Sequence, residues 1–246
     1  MSSKDRIAVV TGAFGGIGTA VCQRLKAEGA TIVGTYHPME ADKADAWVES
    51  MGGDVEAVAG DVSSPEDSAR MMGEIAEKHG RVDIIVNCAG ITRDTTMKKM
   101  TAEQWDAVID TNLSSAFYVT QPVWTGMVER AFGRIINISS VNGQRGQFGQ
   151  ANYAAAKAGM HGLTMTLAQE GAAKGVTANT VSPGYIETAM TAAIREDVRE
   201  AIVSGIPMRR MGTPEEIAHT VAFLASDEST YITGANVPVN GGLFIH

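Results

Sequence analysis

Short apolar runs recur along the chain at 7–10, 31–35, 55–58, 82–86, 134–139 and 176–181, with a last one within 236–242. Each has the length of a strand buried on both faces, and most end in glycine, asparagine or a hydroxyl residue. Between them the spacing turns helical. Ala20, Val21 and Leu25 share a face, Ser64-Pro65 and Thr213-Pro214 open helices with a cap and an N-terminal proline, and Trp105, Val108, Ile109, Leu113 and Phe117 predict one long helix after Thr101. A further helix carries Ala158, Leu163 and Leu167, small and apolar on several faces, so a second subunit is expected against it. Regular alternation of strand and helix predicts an α/β fold, a doubly wound parallel sheet of about seven strands with helices on both faces. No repeat or linker interrupts it, so 1–246 reads as a single domain. Residues 189–212, of mixed charge with Gly205 and Pro207, read as a mobile flap.

Composition narrows the function classes. The 246 residues carry 20 basic and 28 acidic side chains, a net −8, with no basic cluster, which argues against nucleic acid as the partner. Cys22 and Cys88 form no CxxC or Cys/His set, and the five histidines lack ligand spacing, so a reduced cytoplasmic setting and no metal are expected. No apolar stretch approaches the roughly 20 residues of a membrane span.

The first strand runs into Thr11-Gly12-Ala-Phe14-Gly15-Gly16-Ile17-Gly18 and then a helix. Strand, glycine turn and helix N-terminus together make a receptor for a dinucleotide pyrophosphate, although the spacing is not G-x-G-x-x-G. The end of the second strand selects between the two nicotinamide dinucleotides. It reads Tyr36-His-Pro-Met-Glu40 with no arginine, so Glu40 favours NADH, while His37 or Lys43 leaves NADPH possible. Asp61 and Val62 follow the third strand, where an adenine would lie, and Asn87, Ala89 and Gly90 follow the fourth, at the middle of the sheet.

Tyr153 and Lys157, four apart, share one face of a helix, and Ser140 ends the fifth strand. A hydroxyl, a phenol and an ammonium converging on one carbonyl would make a proton-donating site, the ammonium lowering the phenol pKa. Asn112, a polar residue amid an apolar pattern, needs a partner for its amide.

With the glycine loop, Asp61, Asn87-x-Ala89-Gly90, Asn112, Ser140, Tyr153-x3-Lys157 and Pro183-Gly184 in this order and spacing, the chain resembles the short-chain dehydrogenase/reductase family from end to end. Cys88 departs from the usual asparagine. The resemblance implies a Rossmann fold, a homotetramer, Ser140, Tyr153, Lys157 and Asn112 as the catalytic set, and Pro183, Gly184 and Ile186 beside the nicotinamide. Tyr153 would protonate the alkoxide, Ser140 hold the carbonyl oxygen, Lys157 bond the ribose, and Asn112 support a water relay. Within the family, the segments 140–150 and 195–198 and Tyr185 are most similar to acetoacetyl-CoA reductases, which implies acetoacetyl-CoA as substrate and (R)-3-hydroxybutyryl-CoA as product. Asp94, Lys99, Gln147, Phe148, Gln150 and Tyr185 are then the expected substrate contacts, with Phe148 narrowing the space for the acyl chain. The other resemblance within the family is to 3-oxoacyl-acyl-carrier-protein reductases, for which Arg130 and Lys174 are the candidate docking cations.

Overall fold

A computed structural model describes residues 5–192 and 194–245 of the chain. Seven parallel strands form one sheet in the order β3-β2-β1-β4-β5-β6-β7. They are β1 (Ile7–Thr11), β2 (Thr31–Tyr36), β3 (Glu56–Ala59), β4 (Ile84–Asn87), β5 (Gly133–Ile138), β6 (Val176–Pro183) and β7 (Asn236–Val239). The chain reverses direction of build between β1 and β4, and a ligand crevice is expected outside the carboxyl ends of the strands at that switch point.

Side chains alternate along each strand between two cores. Ala8, Val10, Ile84, Val86, Ile136, Ile138 and Val181 face one layer, built on α1 (Gly16–Ala27), α2 (Ala44–Ser50) and α10 (Pro214–Ala225). Val9, Ile85, Ile135, Val176 and Ala178 face the other, under α3 (Pro65–His79), α5 (Ser115–Glu129) and α7 (Ala151–Gly171). Burial on both sides is why the strands read as continuous apolar runs rather than as an alternation.

Three expectations change. The long helix after Thr101 is broken: α4 (Ala102–Ile109) passes into a single π-helical turn, Asp110–Ser114, before α5 begins. Such wide turns leave backbone groups without their regular partners and cluster at functional sites. The flap is not featureless. It holds α8 (Ala189–Ala192) and α9 (Glu196–Gly205), with Ile206 buried and Arg199 pinned to Glu187 at 2.9 Å. The last strand stops at Val239, since Gly241 and Gly242 adopt positive φ and turn the chain away. No helix among the described residues is long and apolar enough to cross a membrane.

Candidate active site

The glycine turn is shaped by close backbone approach. Gly12 has φ +63°, and a Cβ there would lie 2.8 Å from Ala89 Cα, while a Cβ on Gly18 would run into the Gly12 carbonyl oxygen. Thr11 Oγ1 accepts from both Cys88 N (3.0 Å) and Ala89 N (3.1 Å), locking the ends of β1 and β4 together. The N-cap of α1 is Gly15, with no side chain on the first-turn amides and no acidic residue in that turn. Those amides and the helix dipole therefore face the crevice ready for an anion. This cradle fits a dinucleotide pyrophosphate, and a side chain at Gly12 or Gly18 would push apart the backbone segments that shape it.

Phe14 stacks on Tyr36, ring centroids 4.6 Å apart, and leans on Trp47. Glu40 sits on the 3₁₀ turn Pro38–Lys43 with its carboxylate 2.9 Å from Lys43 Nζ, so its charge is partly matched locally. Asp61 Oδ1 accepts from Ser63 N and Oγ at 2.9 and 2.6 Å, and Val62 is buried beside it. Thr188, for which sequence reasoning gave no role, reaches over the loop: a Cβ on Gly16 would lie 3.0 Å from its Cγ2. Pro183 and Ile186 are buried, and Gly184 packs so closely on Asn240 that a Cβ would lie 2.8 Å from its Cα.

Asn87 does not present its side chain to the crevice. Nδ2 donates to Asn137 Oδ1 at 2.8 Å, Asn137 Nδ2 donates to Thr164 Oγ1 at 2.8 Å, and Thr180 Oγ1 joins at the same atom. Its side chain belongs to a buried polar ladder across β4, β5 and β6, on the α5–α7 side, so that Asn87 meets the crevice only with its main chain at the end of β4.

Ser140, Tyr153 and Lys157 come together beyond β5. Ser140 is buried, accepts Asn142 N at 3.1 Å and lies close enough to the half-buried Tyr153 phenol to favour its ionised form. Lys157 is 3% exposed and donates to Ile138 O at 2.8 Å, its Nζ 5.7 Å from the Tyr153 ring centroid. Burial lowers the Lys157 pKa to about 8, so it is still mostly an ammonium at neutral pH. The Tyr153 pKa runs opposite to expectation. Burial raises it, the Ser140 hydroxyl opposes that, and the Asp94 and Cys88 charges reinforce it. Lys157 does not lower it here because its ammonium is turned to the Ile138 carbonyl.

Asn112 is fully buried, and its amide is spent on the backbone of one residue: Oδ1 accepts Ile91 N at 2.7 Å and Nδ2 donates to Ile91 O at 2.9 Å. It clips the π turn to the loop after β4. Gly90 lets it approach the lysine, for a Cβ there would lie 3.3 Å from Asn112 Oδ1 and 3.5 Å from Lys157 Nζ.

Residues that sequence reasoning missed hold this set in place. Ser139 Oγ donates to Lys157 O at 2.7 Å, tying β5 to α7. Asn152, fully buried, donates to Arg93 O and Gln104 O and accepts Tyr153 N at 2.8 Å. A Cβ on Gly143 would lie 2.8 Å from the Lys157 carbonyl carbon, so α6 (Asn142–Arg145) can rest directly on the catalytic helix. The neighbouring Ser-Ser pair and the Asn just before Tyr153 were the only signals in the sequence.

On the substrate side, Gln150 links Asp94 (Nε2 to Oδ2, 2.8 Å) to Asn142 (Nδ2 to Oε1, 2.9 Å), and so to Ser140. Asn142 Oδ1 and Gln144 Oε1 are buried there without a partner, acceptors facing a polar gap. Tyr185 is half-buried. Phe148 is 88% exposed, and Gln147 and Lys99 are exposed too. Phe148 packs on no neighbour here: among the described residues nothing covers it, and the 145–149 loop is exposed around it. Arg130 donates to Val82 O at 2.7 Å and Lys174 precedes β6, so both lie at the amino ends of the strands, away from this chain's own crevice.

A parallel sheet in this order, a glycine cradle at its switch point and a Ser, Tyr and Lys set beside it define a dinucleotide-dependent oxidoreductase. A family model described as enoyl-(acyl carrier protein) reductase matches residues 12–244. The chain belongs to the short-chain dehydrogenase/reductase family and works with a nicotinamide dinucleotide, NAD(P)H. It is 65% identical over 244 residues to an acetoacetyl-CoA reductase of Allochromatium vinosum, covering 98% of this chain and 99% of that one. An acetoacetyl-CoA reductase of Cupriavidus necator is 54% identical over 97% and 98% of the two chains, and the 3-oxoacyl-[acyl-carrier-protein] reductase of Escherichia coli is 44% identical over the full length of both.

Proposed function

We propose that the protein reduces acetoacetyl-CoA to (R)-3-hydroxybutyryl-CoA, the step that supplies monomer for polyhydroxybutyrate. The observation that carries this is the gradient of likeness over the whole chain, 65% to an acetoacetyl-CoA reductase against 44% to a carrier-protein reductase. When bound, the reduced nicotinamide supplies the hydride.

The chain's own residues supply the rest. Ser140 holds the ketone oxygen, and Tyr153, close beside Ser140, delivers a proton to that oxygen as negative charge develops. Lys157 bonds the nicotinamide ribose once its ammonium leaves the Ile138 carbonyl, which brings it nearer the phenol and favours proton release. Asn112, held by Ile91, keeps the π turn open beside Lys157 for a proton relay. Gln150 and Asp94, already paired, orient the short thioester with Tyr185, while Lys99, Gln147 and Phe148 close on it only when it binds.

NADH is the preferred partner because Glu40 opposes a 2′-phosphate and the only cation on its turn, Lys43, is committed to it. Replacing Glu40 by Arg is expected to move the NADPH/NADH ratio of kcat/KM upward by about tenfold or more, the size of one charged contact. An unchanged ratio would show that Glu40 is no selector. A homotetramer is expected, with Trp105, Phe117 and Met165, exposed on α4, α5 and α7, as the apolar patches it would cover; a monomer in sedimentation velocity would exclude it.

Steady-state oxidation of NADH and NADPH with acetoacetyl-CoA and with a longer 3-oxoacyl-carrier protein tests the substrate. Saturation at micromolar acetoacetyl-CoA, with the carrier-protein substrate slower, is the expected result. Equal turnover of both would favour the carrier-protein reading.

A further inference from the structure

At the end of the sheet opposite the crevice, a cavity of about 500 Å³ opens beneath the amino ends of β1, β5 and β6, between Arg6, Phe132, Arg134, Thr177, Asp227 and Tyr231. The Phe132 ring carries both guanidinium groups, Arg6 Cζ at 3.6 Å and Arg134 Cζ at 4.3 Å from its centroid. Arg134 is 2% exposed. Its Nη1 donates to Gly133 O at 2.9 Å and Gly175 O at 3.3 Å, but its Nε is buried with no partner, and so is Thr177 Oγ1. Asp227 is the one acid lining the cavity, with Oδ1 at 3.5 Å from Arg6 Nη2 and 4.0 Å from Arg134 Nη2, and its side chain is 63% exposed.

Two cations thus face one loosely held anion. Burying a guanidinium without full pairing is unfavourable, and here both burial and the nearby Arg6 charge pull the Arg134 pKa down against the opposing Asp227. The wall is strained as well: Ala131 adopts φ 52°, and a Cβ on Gly175 would collide with its carbonyl oxygen. Arg134 therefore meets the cavity through Nη2, which has only the distant Asp227 carboxylate opposite it, and the other walls include the apolar Phe132, Ala131 and Ala172.

We propose that this cavity binds a small organic oxyanion, its carboxylate or phosphate held by Arg134 Nη2 and the Arg6 guanidinium, where Asp227 now stands, and its apolar body lying against Ala131 and Ala172. Asp227 is a competing counterion that the ligand displaces. The site is separate from the catalytic crevice and does not depend on the identity of the reduced substrate.

Isothermal titration of the full chain, with its crevice saturated by NAD⁺, tests this using phenyl phosphate, benzoate and inorganic phosphate as probes. One saturable site per chain is expected, tighter for phenyl phosphate or benzoate than for inorganic phosphate, and the better of the first two identifies the headgroup. Arg6→Gln, at a partly exposed position, should weaken binding by about tenfold or more, the worth of one charge-assisted hydrogen bond. Asp227→Asn should instead tighten it, with turnover of acetoacetyl-CoA unchanged in both variants. Absence of saturable binding, equal effects of the two variants, or loss of binding on adding NAD⁺ would overturn the proposal.

Discussion

The two sides of the crevice are built by different means. On the catalytic side, Ser140, Tyr153 and Lys157 stand on a strand end and one long helix, fixed by Ser139 to the Lys157 carbonyl, by Asn152 to the loop at Arg93 and to α4 at Gln104, and by Gly143 packed on the helix backbone. On the substrate side, the 145–149 loop carries Gln147 and Phe148 into solvent and is anchored at its end, where Thr95 N donates to Gly149 O at 2.8 Å and Gln150 is held by Asp94 and Asn142. Proton transfer loses most of its rate when a group shifts by about 1 Å, so it sits on rigid elements. Substrate recognition can wait for the ligand to complete it. Chemistry and specificity should therefore respond differently to mutation.

The largest expected effect is on the rigid side. Tyr153→Phe removes the proton donor with little change of volume, so kcat should fall by about 10²–10⁴-fold, the range for general acid catalysis, with dinucleotide affinity nearly unchanged. Fluorescence titration with NADH beside steady-state kinetics separates the two, and near-normal turnover would refute the assignment. Gly143→Val comes next. Its side chain would meet the Lys157 backbone at under 3 Å, so about 1–3 kcal/mol of stability should be lost with a matching fall in kcat, read from denaturant midpoints and rates. If kcat held while stability fell, α6 would not be positioning the lysine.

Lys157 adds a pH signature. Its folded pKa, about 8, lies below its ordinary 10.5, so between these values the unfolded chain binds a proton that the folded chain has released. Stability should rise with pH across that window, its burial cost being fully present below pH 8. Half-buried Cys88, its thiol raised from 9.0 to about 11, and buried Cys22, raised further, act with the opposite sign above pH 9. Between pH 8 and 9 the unfolding free energy of the unliganded protein should therefore climb relative to Lys157→Met, by at most about 1.4 kcal/mol per unit. Parallel pH profiles would mean that the ammonium is better solvated than its surroundings imply.

What the sequence made legible follows the same division. Apolar runs announced the central strands β1, β4 and β5, buried on both faces, while β3, β6 and β7, with polar or exposed positions, were read from the turns that bound them; the glycine loop and Tyr153-x3-Lys157 declare their geometry within a few residues. Contacts between distant parts of the chain were not legible. Asp94 and Gln150 are 56 positions apart, and Asn152 reaches back 48 to Gln104. The partners of the Asn87 side chain were equally hidden: its motif lies at the crevice, while the side chain itself, by strand alternation, faces the α5–α7 layer and meets Asn137, 50 positions away. The break at Asp110–Ser114 escaped because the apolar spacing of Trp105 to Phe117 runs through it at nearly helical period. Phe148 was assigned to the substrate mouth from the resemblance of its segment and from its bulk, neither of which says what packs over a loop aromatic.

Phe148 gives the smallest effect and the sharpest test of the contrast. Because the free protein leaves it in water, Phe148→Ala should change unfolding free energy by no more than about 0.5 kcal/mol, as for surface substitutions. If the loop closes over the bound thioester, the same change should raise KM for acetoacetyl-CoA several-fold, by up to about 3 kcal/mol of lost apolar contact, and leave kcat almost untouched. Binding that removes no favourable contact from the free state appears wholly in the complex, so an unchanged stability with a raised KM is the pattern of a wall assembled by its ligand. An unchanged KM as well would mean that the loop stays open during turnover, and that specificity rests on Gln150, Asp94 and Tyr185 alone.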